Sequence, residues 1–198
     1  TGMGTEAAAG AARRMLDGTA VDHVMVVGIA GGIDKHHAIG DVIVVDAVID
    51  GRTDAEYRPH PLGSEGERRS GGGALHTSDQ FIVDPDRLAA LRARGVVALD
   101  METAAVAAVC EERHRPWSVF RAIGDRSGDG MADEAVFQLA HPDGSPNLPA
   151  VVRFVARHPR RIAHLLRLGR DMRIATNAAA AAVTAAIERC GRNESAAG

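Results

Sequence analysis

Residues 96–109, VVALDMETAAVAAV, followed by residues 117–125, WSVFRAIGD, indicate a buried strand, a helix of small residues and a second buried strand. Glu102 stands where the first strand becomes the helix, and Asp125 stands at the end of the second strand. The carboxyl ends of neighbouring parallel strands meet at one edge of a sheet, where α/β proteins bind their ligands. This stretch therefore predicts a site in which two carboxylates surround one small polar molecule.

The composition fits one ordinary globular domain with a sizeable core: 198 residues, 45% hydrophobic and 25% charged. A formal net charge of −3 and an aromatic share of only 3% argue against nucleic acid as a partner. The longest apolar runs are far shorter than the roughly 20 residues that a membrane span needs. We therefore expect neither nucleic acid binding nor a membrane span.

Cysteine and histidine usage predicts neither disulfides nor a metal site. Cys110 and Cys190 are the only cysteines and lie far apart, so a cytoplasmic location fits and a disulfide framework does not. The nine histidines show no His-Glu-x-x-His spacing. The adjacent His36 and His37 indicate a solvated loop, because adjacent side chains on a strand point in opposite directions. We expect no metal and no cofactor.

Apolar runs alternate with helical segments along the chain. Buried strands are expected at residues 22–28, 39–50, 96–100 and 117–125, with a shorter strand in the segment 74–83. Helices are expected at residues 5–18, at 84–94 with Asp84 as N-cap and Pro85 in the first turn, and over most of the chain after Leu148. This order predicts an α/β fold with a central, mostly parallel twisted sheet flanked by helices.

The domain organisation is expected to be simple. One domain covers residues 1–190, its helical C-terminal part lies at 148–190, and residues 191–198 form a disordered tail. Residues 51–73 are polar, glycine-rich and without periodicity, and they predict a long mobile loop of functional importance. Because the chain opens on Thr1 directly inside a glycine loop, an N-terminal strand is expected upstream of it.

Two glycine-rich segments are candidate ligand loops. Residues 28–32, GIAGG, lack the following helix that a dinucleotide fingerprint requires. They indicate either a turn that approaches a ligand closely, through Gly28 and Gly31, or a plain tight turn. Gly2 and Gly4 precede an alanine-rich helix. They either offer backbone N–H groups to a phosphate or another electron-rich group, or simply begin the helix.

The residues Asp100, Met101 and Glu102 join a strand to a helix. An ionised Glu102 can accept two hydrogen bonds at once, which suits the cis-diol of a ribose. Met101 can supply an adaptable apolar floor for the sugar. The alternative is electrostatic, since acidic residues are favoured in the first turn of a helix, and this accounts for one of the two carboxylates.

Arg121 and Asp125 bracket the last residues of the second strand. An arginine within VFRAIG cannot be buried without a partner, so Arg121 belongs either to a ligand site or to a structural salt bridge. Asp125 begins the polar loop DRSGDG, and taken alone it is better explained as a turn residue.

Taken together, these segments resemble the nucleoside phosphorylase/nucleosidase superfamily. VGIAGGI…IGDVIVVD, TSDQFI, LDMETAAVA and FRAIGD occur in the family's order and at comparable spacing, within residues 1–130. The resemblance implies a three-layer phosphorylase-type fold and cleavage of the N-glycosidic bond of a purine nucleoside.

The resemblance also implies roles at the sugar and the scissile bond. Asp125 matches the family's catalytic acid at N7 of the purine, and Arg121 matches the arginine near the nucleophilic water. Glu102 matches the carboxylate that holds the ribose hydroxyls, and Met101 matches the residue beneath the sugar.

Recognition of the base and of the 5′ side is implied in the same way. Phe81 matches the aromatic residue that stacks on the base, and Ile82 matches the residue whose backbone reads the base edge. The long helical C-terminal part is similar to the hopanoid-associated branch of the family, whose nucleoside bears a large apolar 5′ substituent.

The departures from the family pattern favour hydrolysis. Phosphorylases usually carry an arginine and a serine where this chain has Val26 and Ile29, neither of which can bind phosphate through its side chain. Gly124 replaces a frequent serine beside the catalytic aspartate. In the nucleosidase branch a glutamate after the first strand activates water, and the resemblance places this residue in the segment that is expected upstream of Thr1.

We therefore expect a purine nucleosidase that hydrolyses the N-glycosidic bond of a 5′-substituted adenosine. The alternatives are a phosphate-dependent nucleoside phosphorylase and an inactive nucleoside-binding protein. The resemblance also implies a homo-oligomer, with a dimer favoured, and an interface near the alanine-rich N-terminal helix or the helix at 101–109.

Overall fold

The computed structural model of the chain describes residues 4–34, 36–60, 62, 72–126, 147–158 and 161–197. Within these residues, seven strands form one sheet: β1 (Val24–Gly32), β2 (Val42–Ile43), β3 (Val45–Asp50), β4 (Glu56–Tyr57), β5 (Gly73–Thr77), β6 (Val96–Asp100) and β7 (Trp117–Arg126). The helices are α1 (Thr5–Gly18), α2 (Pro85–Ala93), α3 (Thr103–Glu112), α4 (Leu148–Arg157) and α5 (Ile162–Ala197).

The sheet has the strand order β2-β7-β1-β6-β5-β3-β4. The pairs β1–β7, β5–β6 and β3–β5 are parallel, whereas β1–β6 and the short outer pairs β2–β7 and β3–β4 are antiparallel. Only Val44 separates β2 from β3, although the order places them near opposite edges. The sheet must therefore curl until its two ends approach each other.

Helices cover both faces of the sheet and complete three layers. Ala104, Ala107 and Cys110 of α3 pack with buried strand residues on one face, and α1 lies against α3. On the other face, Ala175 and Ala179 of α5 pack on β7. The predicted α/β fold with a mostly parallel core is therefore confirmed. Among the described helices, none combines the length and the apolar character needed to cross a membrane.

Helix α2 illustrates how local sequence determines an element. Asp84 caps it, since its Oδ1 accepts a hydrogen bond from the backbone N–H of Asp86 at 2.9 Å, and Pro85 occupies the first turn. Leu88 and Leu91 are buried against the sheet. Full burial of such side chains stabilises the fold by about 1.5–3 kcal/mol each.

Two strand predictions need correction. The GIAGG segment is not a turn, because β1 continues through it to Gly32, paired with β7 on one side and with Leu99 and Ala98 of β6 on the other. The single strand expected at residues 39–50 is two strands, β2 and β3, because the chain leaves β7 after Ile43 and next pairs with β5.

The loop and tail predictions also differ from the structure. The segment 51–73 contains β4, which pairs with β3 through Val48–Tyr57 and Ile49–Glu56; residues 61 and 63–71 lie outside the described residues. Helix α5 continues through Ala197, whereas the sequence predicts that residues 191–198 have no regular structure.

Candidate active site

Glu102 lies at the junction of β6 and α3, and its side chain is directed away from its own helix. It occupies the N-cap position of α3 but makes no side-chain cap hydrogen bond. Its Oε1 accepts a hydrogen bond from the backbone N–H of Gly4 at 3.3 Å, and its Oε2 lies 3.4 Å from Nη2 of Arg121. The side chain is 24% exposed, so the carboxylate is oriented by the protein and still open to solvent. Helix electrostatics alone therefore do not explain Glu102.

Arg121 is a buried cation on β7, with a side chain that is 7% exposed. Its guanidinium contacts four oxygen atoms: Asp100 Oδ2 at 2.5 Å, Glu102 Oε2 at 3.4 Å, Thr103 Oγ1 at 3.0 Å and the carbonyl oxygen of Ile29 at 3.3 Å. Because these contacts use all of its nitrogen atoms, Arg121 is a structural cation that holds Glu102. Of the two explanations left open by the sequence, the structural salt bridge is present, and a role of Arg121 toward a ligand stays a prediction.

Asp100 is the buried anion of this network, with a side chain that is 1% exposed. Its Oδ1 accepts from Thr77 Oγ1 at 2.6 Å, and its Oδ2 accepts from the backbone N–H of Thr103 at 3.1 Å. The hydroxyl of Thr103 donates to the same Oδ2 and accepts from Nε of Arg121 at 3.2 Å. Hydrogen bonds to every partner are what make a buried ion pair tolerable.

Thr77 and Thr103 are the residues that sequence reasoning missed. Both side chains are buried, and Thr77 Oγ1 also accepts from the backbone N–H of Ala104 at 3.0 Å. The sequence does give a signal for each of them: Thr77 is a hydroxyl residue at the end of an apolar strand, and Thr103 is one at the start of a small-residue helix. Either hydroxyl has ordinary local explanations, so only the pairing of β5 with β6 reveals their common partner, Asp100.

Position 28 is occupied by glycine because the Arg121 side chain lies against it, and not because the chain turns there. A Cβ atom at this position would lie 2.3 Å from Nη1 of Arg121, far inside contact distance. Gly28 and Arg121 are direct neighbours in the β1–β7 ladder. The absent side chain therefore makes the room in which the buried guanidinium lies.

Asp125 follows Arg121 on the same strand and is half-buried. It is the ladder partner of Gly31, next to a register irregularity at which Gly124 is the extra residue of β7. A Cβ atom on Gly124 would lie 3.1 Å from Cε of Met172 in α5, which places this position on the α5 face. Because such an irregularity interrupts the regular alternation of a strand, the direction of the Asp125 side chain toward a substrate stays a prediction.

Phe81 and Ile82 lie in the loop between β5 and α2 and differ in exposure. Phe81 is 43% exposed, whereas Ile82 is buried in the cluster beneath α2. The backbone N–H of Ser78, at the start of this loop, donates to the carbonyl oxygen of Asp100 at 2.9 Å. The loop therefore adjoins the β6–α3 junction, where Met101 is half-buried.

An open cleft lies beside Glu102 at the start of α1. Its lining residues are Gly4, Thr5, Glu6, Ala7, Arg52 and Asp79. Thr5 Oγ1 donates to Asp79 Oδ1 at 2.5 Å, and Arg52 lies 3.6 Å from the other oxygen of Asp79. Burial opposes the ionisation of Asp50, but hydrogen bonds from Arg52 lower the pKa of that carboxyl overall. The cleft is thus polar, and its Arg52 and Asp79 side chains form an ion pair with each other.

The structure brings together four of the nine candidate site residues that the sequence singled out. Gly4, Gly28, Glu102 and Arg121 are in mutual contact or separated by one side chain. Gly2 and the adjoining Met3 lie outside the described residues, so the predicted anion loop is described only at Gly4. The roles of these residues toward a substrate stay predictions.

Comparison with known proteins gives a family match and a similar curated protein. The family model described as the phosphorylase superfamily matches residues 1–70 and 62–157. A protein of Tolumonas auensis named 5′-methylthioadenosine/S-adenosylhomocysteine nucleosidase is 30% identical over 181 residues, which cover 77% of this chain and 79% of that protein.

Two solved structures of nucleosidases with the same name are similar to this chain. The Colwellia psychrerythraea structure, in complex with adenine, is 28% identical with a TM-score of 0.55, and the match covers 63% of each chain. The Neisseria meningitidis structure, in complex with methylthio-immucillin-A, has a TM-score of 0.68 and covers 93% of this chain and 77% of that one. Its identity of 21% makes it evidence for the fold alone.

Proposed function

Because this chain belongs to the phosphorylase superfamily, we propose that it is a purine nucleosidase that hydrolyses the N-glycosidic bond of a 5′-substituted adenosine. One observation carries the proposal: the Glu102 carboxylate is held between the Gly4 N–H and Arg121, while Asp125 follows on the same strand. The match to a named nucleosidase over 79% of its length supports the same reaction class.

The chemistry follows from where charge develops. Breaking the N9–C1′ bond leaves negative charge on the purine and positive charge on the sugar. A water molecule adds its oxygen to C1′, and one of its protons replaces the proton that the purine takes up. Asp125 relieves the first charge by protonating or hydrogen-bonding N7, a contribution that is typically 10²–10⁴-fold. Glu102 accepts hydrogen bonds from the ribose hydroxyls, with Met101 beneath the sugar. Phe81, which is exposed, stacks on the base, and the backbone of Ile82 reads its edge.

Arg121 acts in this scheme through Glu102. Its contacts with Asp100, Thr103 and the Ile29 carbonyl fix the guanidinium, and the guanidinium in turn fixes one oxygen of Glu102. A carboxylate that is already oriented loses less freedom when the sugar binds. Arg121 is therefore a positioning residue for the sugar and, through it, for the attacking water.

Hydrolysis is favoured over phosphorolysis by two features of the site. Val26 is buried, and Ile29 packs with the α5 cluster, so neither position offers an anion ligand. The Gly4 N–H, the described part of the helix N-terminus that would otherwise bind phosphate, is already bound to Glu102. A phosphate at this position would face a carboxylate of the same sign.

We propose a cytoplasmic homo-oligomer, with a dimer favoured. Cys110 and Cys190 are free thiols, and burial raises the pKa of Cys110 to about 11, which keeps it unreactive. Of the two helices expected near an interface, α3 is largely buried within its own chain, whereas α1 exposes Met15. Light scattering at micromolar concentration tests the assembly, and a monodisperse monomer would contradict it.

The reaction is tested by measuring adenine release from 5′-methylthioadenosine and S-adenosylhomocysteine, with and without phosphate. We expect equal rates in both buffers and free sugar as the second product. Strict dependence on phosphate, with a sugar phosphate as product, would identify a phosphorylase. Saturable binding of both nucleosides without product would identify an inactive binding protein.

A further inference from the structure

Helix α4 is strongly amphipathic, yet none of its residues is buried. Leu148, Val151, Val152 and Val155 follow the 3.6-residue period and form an apolar stripe on one side of the helix. Arg153 and the following Arg157 lie on the opposite side. Leu148 is 66% exposed and Val152 is 68% exposed, so the stripe faces solvent in the isolated chain.

The first turns of α5 repeat the same pattern. Ile162 and Leu166 are spaced four residues apart and are 39% and 70% exposed. Arg167 follows directly on the polar side. The two helices are joined through His158 and Arg161, which contact the Phe154 ring at 4.9 Å and 5.4 Å. Residues 147–158 and 161–170, named here the α4–α5 corner, thus present apolar side chains from two helices.

The charge of the α4–α5 corner is one-sided. Residues 147–158 and 161–170 contain five arginines and no acidic residue. Since the whole chain carries −3 and the corner carries +5, the remainder carries −8. A positive, apolar segment in an acidic protein is complementary to a surface that is both apolar and anionic.

We propose that the α4–α5 corner docks on an anionic lipid surface. The apolar stripe enters the boundary between headgroups and acyl chains, and the arginines of the polar side extend toward the phosphates. A second copy of the chain is a poorer occupant, because a two-fold contact at the corner would place two segments of the same net positive charge next to each other. This proposal is independent of the nucleosidase proposal, because its measurement requires no turnover.

The test is flotation of the full chain with vesicles of phosphatidylcholine, either alone or with about 30% phosphatidylglycerol. We expect binding only to the anionic vesicles and release by about 0.5 M NaCl. Val152→Ser and Leu166→Ser should each weaken binding about tenfold or more, because each removes methyl groups that become buried in the lipid when the chain binds. Arg153→Gln should weaken it about fivefold. Ile187→Ser, at a 51% exposed position elsewhere on α5, is the matched control and should bind like the parent.

Several results would overturn the proposal. Equal binding to both vesicle types would show that the arginines do not contribute to binding. If the chain did not bind anionic vesicles at all, lipid would not be the partner. An Ile187→Ser loss as large as that of Leu166→Ser would show that the corner is not the binding surface. If Leu166→Ser converted a dimer into a monomer while no variant bound vesicles, the corner would be an interface between copies of this chain. Circular dichroism establishes that each variant is folded.

Discussion

Removal of the Asp100 charge tests the buried network directly. Asp100→Asn keeps the shape of the side chain but leaves the Arg121 cation with Glu102 as its remaining carboxylate. With an effective dielectric constant of about 20, Coulomb's law gives roughly 7 kcal/mol for the pair at 2.5 Å and roughly 5 kcal/mol for the pair at 3.4 Å. Desolvation cancels most of this attraction in the intact protein.

The expected loss of folding stability in Asp100→Asn therefore arises because the buried Arg121 cation is left without its nearest carboxylate. Loss of one partner from a buried ion pair costs about 3–5 kcal/mol, and the proximity of Glu102 places this case near the lower end, at about 3 kcal/mol. For a chain of this size, that loss lowers the melting temperature by roughly 6–12 °C. Glu102 should also be drawn toward Arg121, so KM for the nucleoside should rise.

Asp54→Asn is the matched control. Asp54 pairs with Arg94 at 2.6 Å, nearly the distance of the Asp100–Arg121 pair, but the two side chains are 70% and 48% exposed. Exposed pairs contribute about 0–1 kcal/mol, and asparagine tolerates the positive φ of this position. Calorimetry measures the melting temperature of both variants, and urea unfolding measures their free energy of unfolding. If Asp100→Asn cost no more than Asp54→Asn, the buried network would not be what stabilises the β6–α3 junction.

Four further outcomes are expected. Asp125→Asn should lower kcat by a factor on the order of 10²–10⁴ with little change in substrate affinity, and activity within a few-fold of the parent would remove Asp125 from the mechanism. Glu102→Gln should weaken ribonucleosides more than 2′-deoxy analogues in steady-state kinetics, whereas equal losses would make Glu102 structural. Gly28→Ala places a Cβ 2.3 Å from the Arg121 guanidinium and should destabilise the fold by about 1–3 kcal/mol; an unchanged melting temperature would refute this packing. Burial lowers the pKa of His76 below the ordinary value of 6.5, and neither ring nitrogen has a hydrogen-bond partner among the described residues. The unfolded chain then binds the proton more tightly, so stability should fall as pH drops below about 6.5. His76→Leu should reduce that slope in urea titrations at several pH values by the part that His76 contributes.

Local sequence determined the elements whose signals are local. Helix α2 begins where Asp84 and Pro85 predict it, because a cap and a fixed φ act within one turn. The buried strand β7 follows from its apolar run, since a strand covered on both faces needs no polar side. The same logic placed Glu102 and Asp125 at strand ends and so located the candidate site before any contact was known.

The partners of Arg121 could not be predicted from the residues next to it in the sequence. The sequence requires that a buried arginine be paired, but it leaves the pairing open between a ligand and the protein. The answer depends on β6 lying two strands away, with Asp100 at its end, and on Thr103 starting the next helix. These groups meet only when the sheet is assembled.

Buried strands, capped helices and the positions of the candidate carboxylates at strand ends follow from the sequence, because each depends on burial and hydrogen bonding within a few residues. How the strands are paired follows only from the assembled sheet. The GIAGG segment extends β1 because β6 and β7 offer it hydrogen bonds on both sides, and Gly28 is needed because Arg121 lies against it. The run 39–50 divides at Val44 because its two halves bond to different partners, β7 and β5. The backbone hydrogen bonds of a strand are made to strands that are distant in sequence, and the local pattern of residues does not predict which strands these are.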